Sequence, residues 1–155
     1  MCEMRKYCLS LLLLLLTLVS NAVEPPKREI RGVWLTTVYG LDWPRKPATT
    51  ETGRKAQQRD VCDILDRLQD ANFNTVFLQV RMRGDVIWRS AIEPASKIFS
   101  GKYGMMPGYD PLAFVVDECH KRGMECHAWF VTFPLGTDKS VIEQGKLSVV
   151  RRQPK

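Results

Sequence analysis

The spacing of apolar positions changes several times along the chain, and each change predicts an element. Ile30 to Val38 is a β-branched and aromatic run with an early Gly32, the composition of a strand. Tyr39 to about Thr52 is polar and Pro-containing and carries Trp43, which puts an aromatic on a loop. Val61, Ile64, Leu65, Leu68 and Ala71 then fall at i, i+3, i+4, i+7 and i+10 with charged residues between them, so an amphipathic helix is predicted from about Gly53 to Ala71. Asn74 to Arg81 alternates and predicts a second strand. A long connection, Met82 to Tyr109, holds Trp88 and Tyr103 and ends at Asp110-Pro111, a helix start with Asp as N-cap and Pro at the first helical position. Leu112, Val115, Val116 and Cys119 form the inner stripe of that helix, Gly123 ends it, and Glu125 to Phe133 is a third strand.

The order βαβαβ, with helices long enough for crossover connections, predicts a parallel sheet of about three strands with two intervening helices, an α/β fold. Within the second strand Val76, Leu78 and Val80 share one face, and Thr75, Phe77, Gln79 and Arg81 the other. In the third strand Cys126, Ala128 and Phe130 oppose Glu125, His127 and Trp129; in the first, Val33 and Leu35 oppose Gly32, Trp34 and Thr36. The uniformly apolar face is expected to meet the helices. The mixed face then carries Thr36, Gln79, Arg81 and His127 toward the C-terminal strand ends, where parallel α/β proteins bind ligands.

Composition adds little to this except at the N-terminus. Arg5 and Lys6 precede an apolar run from Cys8 to Val19, followed by Ser20-Asn21-Ala22, so residues 1–22 read as a signal peptide and 23–29 as a Pro-containing leader. The run is shorter than the roughly 18 to 20 apolar residues of a membrane-spanning helix. The expected protein is exported, periplasmic or secreted, and meets a membrane only through the signal peptide before cleavage. The net charge of +6 is spread along the chain and partly carried by the tail, so the clustered cationic face that nucleic acid requires is not expected. Beyond the signal peptide lie Cys62, Cys119 and Cys126, an odd number that allows one internal bridge at most. The spacing of Cys119, His120, Cys126 and His127 matches no compact zinc pattern, and neither a metal nor any other cofactor is expected.

Five blocks carry a family resemblance: Arg31-Gly32-Val33-Trp34-Leu35-Thr36, Asn74 to Arg81, Pro107-Gly108-Tyr109-Asp110-Pro111-Leu112, His120-Lys121-Arg122-Gly123 and His127-Ala128-Trp129. In this order the sequence resembles the N-terminal part of the glycosyl hydrolase-like family 10 domain over about residues 28 to 135. The resemblance implies a (β/α)8 barrel acting on bacterial cell-wall or related extracellular glycans. It departs from many members after the third strand, where Val131-Thr132-Phe133-Pro134 stands in place of an Asn-Pro-containing stretch.

Glycoside hydrolysis uses two carboxyl groups flanking the scissile bond, roughly 5 to 9.5 Å apart. Most acids here lie on helices, Asp110 is an N-cap, and Glu125 begins its strand at the wrong end; Asp42 and Asp85 are the loop acids expected near the right rim. No catalytic residue is assigned. The expected substrate-binding residues are Thr36, Gln79, Arg81, His127 and Trp129, with Trp43 and Trp88 as loop platforms for a sugar ring. Trp34 and Trp129 also read as core packing. A complete barrel takes roughly 200 to 250 residues, so this chain is expected to form a partial TIM barrel over 30–135 with an irregular tail over 136–155. As such it is expected to be an N-terminal fragment of a glycoside hydrolase-like protein, to bind glycan or peptidoglycan-like polysaccharide, to be able to self-associate through exposed sheet edges, and to be inactive alone. The alternative is a carbohydrate-binding or interaction module without catalysis.

Overall fold

The computed structural model describes residues 29–152. The predicted signal peptide and all of the leader but Glu29 lie outside them. In chain order the elements are β1 (Gly32–Leu35), α1 (Glu51–Asp70), β2 (Thr75–Arg81), the single turn α2 (Lys97–Ser100), α3 (Pro111–Lys121), β3 (Glu125–Phe130), α4 (Asp138–Gln144) and α5 (Val149–Arg152). The strands form one parallel sheet in the order β1-β2-β3, with α1 and α3 in the connections. This is an α/β arrangement consistent with a partial barrel.

Local chemistry sets the helix ends. Thr50 accepts the Gly53 amide at 3.1 Å, which starts α1 at Glu51, slightly ahead of the predicted position. Asp110 accepts the Ala113 amide at 3.0 Å, with Pro111 at the start of α3. Both helices stop in the same way. Asn72 (φ 61°) and Gly123 (φ 68°) adopt the left-handed conformation, and the following amides, of Phe73 and Met124, reach back to the Leu68 and Cys119 carbonyls at 2.9 and 3.0 Å.

One face of the sheet is sealed by the helices. Val76, Leu78 and Val80 are completely buried with Leu35, Val61, Leu65, Val115 and Cys119, and each such side chain contributes roughly 1.5–3 kcal/mol relative to exposure. A polar clamp holds α1 to α3 outside this core. Arg122 donates to Asp66 at 2.6 Å and to Glu118 at 2.7 Å, and Lys121 donates to Glu118 at 2.6 Å. Hydrogen bonds from Lys121 and then Arg122 hold the Glu118 carboxyl down at about 2. The stabilisation this represents is complete above the ordinary carboxylate value of 4.5 and is lost as pH falls toward 2. Glu118→Gln is therefore expected to flatten the pH dependence of stability in that window, measured by urea unfolding; an unchanged acid limb would contradict the clamp.

The structure differs from the predicted elements at three places. β1 and β3 are shorter than expected, and just beyond each a β2 side chain binds the backbone, Gln79 accepting from the Thr37 amide after β1 and Arg81 donating to the Thr132 carbonyl after β3. The tail is not irregular: Thr137 accepts the Ser140 amide at 3.4 Å and caps α4, and α5 follows. The long connection after β2 is also structured. Val86 bridges both Arg81 and Ala95, Ile87 donates to the Val80 carbonyl at 3.1 Å, and Phe99 is buried. It folds back on the C-terminal end of the sheet.

Candidate functional site

The face of the sheet away from the helices carries an aromatic layer. Trp34 stacks on Phe77 with centroids 4.7 Å apart and planes 22° apart, and meets Trp129 edge-on at 5.0 Å. His127 lies 5.4 Å from Phe77 and its Nε2 is 2.9 Å from Glu125. The parallel register explains the grouping, since Trp34, Phe77 and His127 are aligned across the three strands. The layer stays open, with Trp34 58% exposed. Gly32 makes room for it, because a Cβ there would lie 2.6 Å from Phe77 Cε2. Gly32→Ala is expected to displace the Phe77 ring from Trp34 and to destabilise by about 1–3 kcal/mol. Tryptophan fluorescence and the thermal midpoint check this, and a variant unchanged in both would contradict it.

Toward the C-terminal rim the layer meets an ion pair. Arg81 Nε lies 2.9 and 2.8 Å from the two Glu93 oxygens, and its Nη2 donates to Oε1 at 2.6 Å. Its Nη1 donates to the Val131 and Thr132 carbonyls, the latter at 3.0 Å. The two side chains are only 12% and 13% exposed. Bidentate geometry makes this a strong charge-assisted pair, and it ties the connection after β2 to the segment leaving β3. Glu93 also lines an open cavity of about 790 Å³ with Arg89, Tyr109, Asp110 and Arg152 on its wall.

The structure separates the sequence-predicted residues into three groups. Trp129 and His127 stand on the open face, with Arg81 at its rim. Gln79 does not face a ligand: it is buried, and its Oε1 accepts the amides of Thr37 and Val38 at 3.0 and 2.8 Å. The half-buried Thr36 is held by its backbone, its amide donating to Asp42 at 2.8 Å and its carbonyl accepting from Asp42 and Trp43 at 3.3 Å. Of the two loop tryptophans, Trp43 is not the expected platform. Trp43 is 0% exposed, packs edge-on against Phe99 at 4.9 Å and donates its indole N–H to the Gln57 carbonyl at 2.8 Å. Trp88 is half-buried against the core and edge-on to Phe130 at 5.8 Å.

Two rim residues escaped the sequence reading. Glu93 lies in a connection with no periodic pattern; an inward-facing Arg81 was the available signal that a carboxylate must come from somewhere. Tyr39, placed at the start of a polar loop, is 72% exposed. Of the rim carboxylates, Asp42 accepts the Thr36 amide, Asp85 accepts the Arg83 amide at 3.0 Å, and Glu93 is held by Arg81. Each is therefore committed to a partner within the fold. Among the described residues no group of three or more His, Cys, Asp or Glu side chains is placed to hold a metal ion, and Cys62, Cys119 and Cys126 are free thiols.

A family model for glycosyl hydrolase-like 10 proteins matches residues 29–155. Among similar proteins, glycosyl hydrolase DigH of Escherichia coli K12 is 50% identical over 111 residues, 69% of this chain and 25% of that protein. Glycosyl hydrolase YngK of Bacillus subtilis 168 is 41% identical over 103 residues, 66% of this chain and 20% of that protein. The chain thus spans a quarter or less of the length of these relatives.

Proposed function

Since the chain belongs to the glycosyl hydrolase-like 10 family, we propose that it supplies the glycan-binding N-terminal part of an exported barrel that processes cell-wall or extracellular polysaccharide, without a catalytic carboxylate pair of its own. The observation that carries this reading is the state of the rim: Asp42, Asp85 and Glu93 each hold another part of the fold in place. A general acid or nucleophile must instead be presented to the glycosidic oxygen or anomeric carbon. The open aromatic layer supports the binding half of the proposal. Trp34, Trp129 and Phe77 offer apolar ring surface for the C–H face of a sugar, and His127 offers a hydrogen-bonding edge beside them.

The test is titration of the chain with soluble peptidoglycan fragments and with neutral oligosaccharides. Saturable binding is expected, weakened about tenfold by Trp129→Ala with the fold retained by circular dichroism. Failure of every glycan to bind would contradict the reading. Export rests on the signal peptide pattern of residues 1–22 and is tested by finding the protein, cut after Ala22, outside the cytoplasm; retention in the cytoplasm uncut would contradict it.

The exposed layer has a second consequence. Among the described residues the outer edges of β1 and β3 have no strand partner, and Trp34 and Phe133 stand in solvent. Unpaired edges and exposed apolar surface favour association. The isolated chain is expected to sediment as concentration-dependent oligomers, and a monomer at all concentrations would contradict this.

A further inference from the structure

Two of the three thiols meet at the turn between α3 and β3. Cys119 lies near the end of α3 and is fully buried, and Cys126 is the second residue of β3, on the face that packs against the helices. Gly123 reverses the chain between them in the left-handed conformation, and the Met124 amide returns to the Cys119 carbonyl at 3.0 Å. The two side chains therefore share one apolar cluster, and their thiols are hydrogen-bonded to each other.

Their surroundings differ in the way a thiol exchange requires. Cys126 lies on a strand that among the described residues is an edge, and it stays half-buried, which leaves a reagent a path to its sulfur. The hydrogen bond from Cys119 holds the Cys126 thiol below its ordinary value, so more of it is thiolate, the attacking form. The same hydrogen bond, and then burial, push the Cys119 thiol up. Cys62 is engaged elsewhere. It stands on α1 with its sulfur 3.6 Å from Glu118 Oε2, and burial followed by that carboxylate raises its thiol.

We propose that Cys119 and Cys126 form a disulfide when the folded chain meets an oxidising disulfide, with Cys126 attacking first and Cys119 completing the bond. In the first step the Cys126 thiolate attacks one sulfur of the oxidant, the other sulfur leaves as a thiolate, and a mixed disulfide results. In the second, Cys119 gives its proton to solvent and attacks the Cys126 sulfur, which expels the remaining half of the oxidant. Two cysteine thiols thereby lose two electrons and two protons, and the oxidant gains both to become two thiols. The bond ties the end of α3 to β3 across the Gly123 turn and restrains that crossover in the unfolded chain. An exported protein meets such an oxidant. The export reading above supplies only that encounter, since the chemistry itself needs no more than the folded chain.

The experiment takes the full chain purified with reductant, incubates it without denaturant in oxidised glutathione, blocks the remaining thiols with iodoacetamide and digests with trypsin. Lys121 and Arg122 lie between the two cysteines, so trypsin puts Cys119 in residues 103–121 and Cys126 in residues 123–139. These two peptides are expected as a linked pair that reductant separates, and the oxidised chain is expected to melt about 5–10 °C above the reduced one. Cys126→Ala is expected to melt at one temperature with and without reductant, whereas Cys62→Ser is expected to keep both the linked pair and the shift. Recovery of the two peptides unlinked and alkylated after oxidation, or linkage of Cys62 to either, would overturn the proposal and leave the glycan and export readings standing. A linked pair formed by a protein that cells retain uncut would overturn export alone.

Discussion

Arg81→Met is expected to destabilise the chain by about 1–3 kcal/mol, the cost of leaving one partner of a part-buried ion pair without the other. The stranded group is Glu93, whose side chain is 13% exposed and whose two oxygens both lie within hydrogen-bond distance of Arg81. The same substitution frees the Val131 and Thr132 carbonyls, so faster amide exchange is expected just beyond β3. The double variant Arg81→Met/Glu93→Leu is expected to regain most of the lost stability, because replacing both ions by apolar groups removes the buried charge. Equal destabilisation of the single and double variants in urea would contradict this assignment. The result also bears on glycan binding. A loss of affinity in an Arg81 variant reports on the fold as much as on any contact with ligand, which is why Trp129, on the open face, is the better probe.

Trp43→Ala is expected to cost about 3–5 kcal/mol, as for a large aromatic removed from a packed core. The indole is wholly buried, touches Phe99 and donates to the Gln57 carbonyl. A sugar platform on the rim would behave in the opposite way, losing affinity with little change in stability. Chemical denaturation separates the two outcomes. A variant as stable as its parent would place Trp43 at the surface and contradict the packing.

These two residues also show where the sequence is readable. The alternation of Val76, Leu78 and Val80, the Asp110-Pro111 helix start and the Gly123 stop depend on neighbours a few residues away, and the structure has all of them in place. Such local patterns carry the sheet and both of its crossovers. Trp43 lies in a segment whose polar neighbours predict a loop, and it is a loop. Its burial is decided by Gln57 and Phe99, which come from α1 and the connection after β2. The alternation of the strand predicts Gln79 on the face with Arg81, but the amides it serves, Thr37 and Val38, are some forty residues away. Glu93 was invisible for the same reason. Nothing in its surroundings marks it, and only the fold brings it to Arg81. The tail differs, since Thr137 before Asp138 is a local cap signal that the weak amphipathic period of 136–155 concealed.

The central proposal is that the rim carboxylates are structural and that the chain binds glycan without cleaving it. The direct measurement is release of reducing ends from peptidoglycan and from neutral polysaccharide by the purified chain, with Glu93→Gln and Asp85→Asn measured beside it. No release above the blank is expected from any of the three proteins. Turnover by the parent chain that either substitution abolishes, with binding intact, would contradict the proposal.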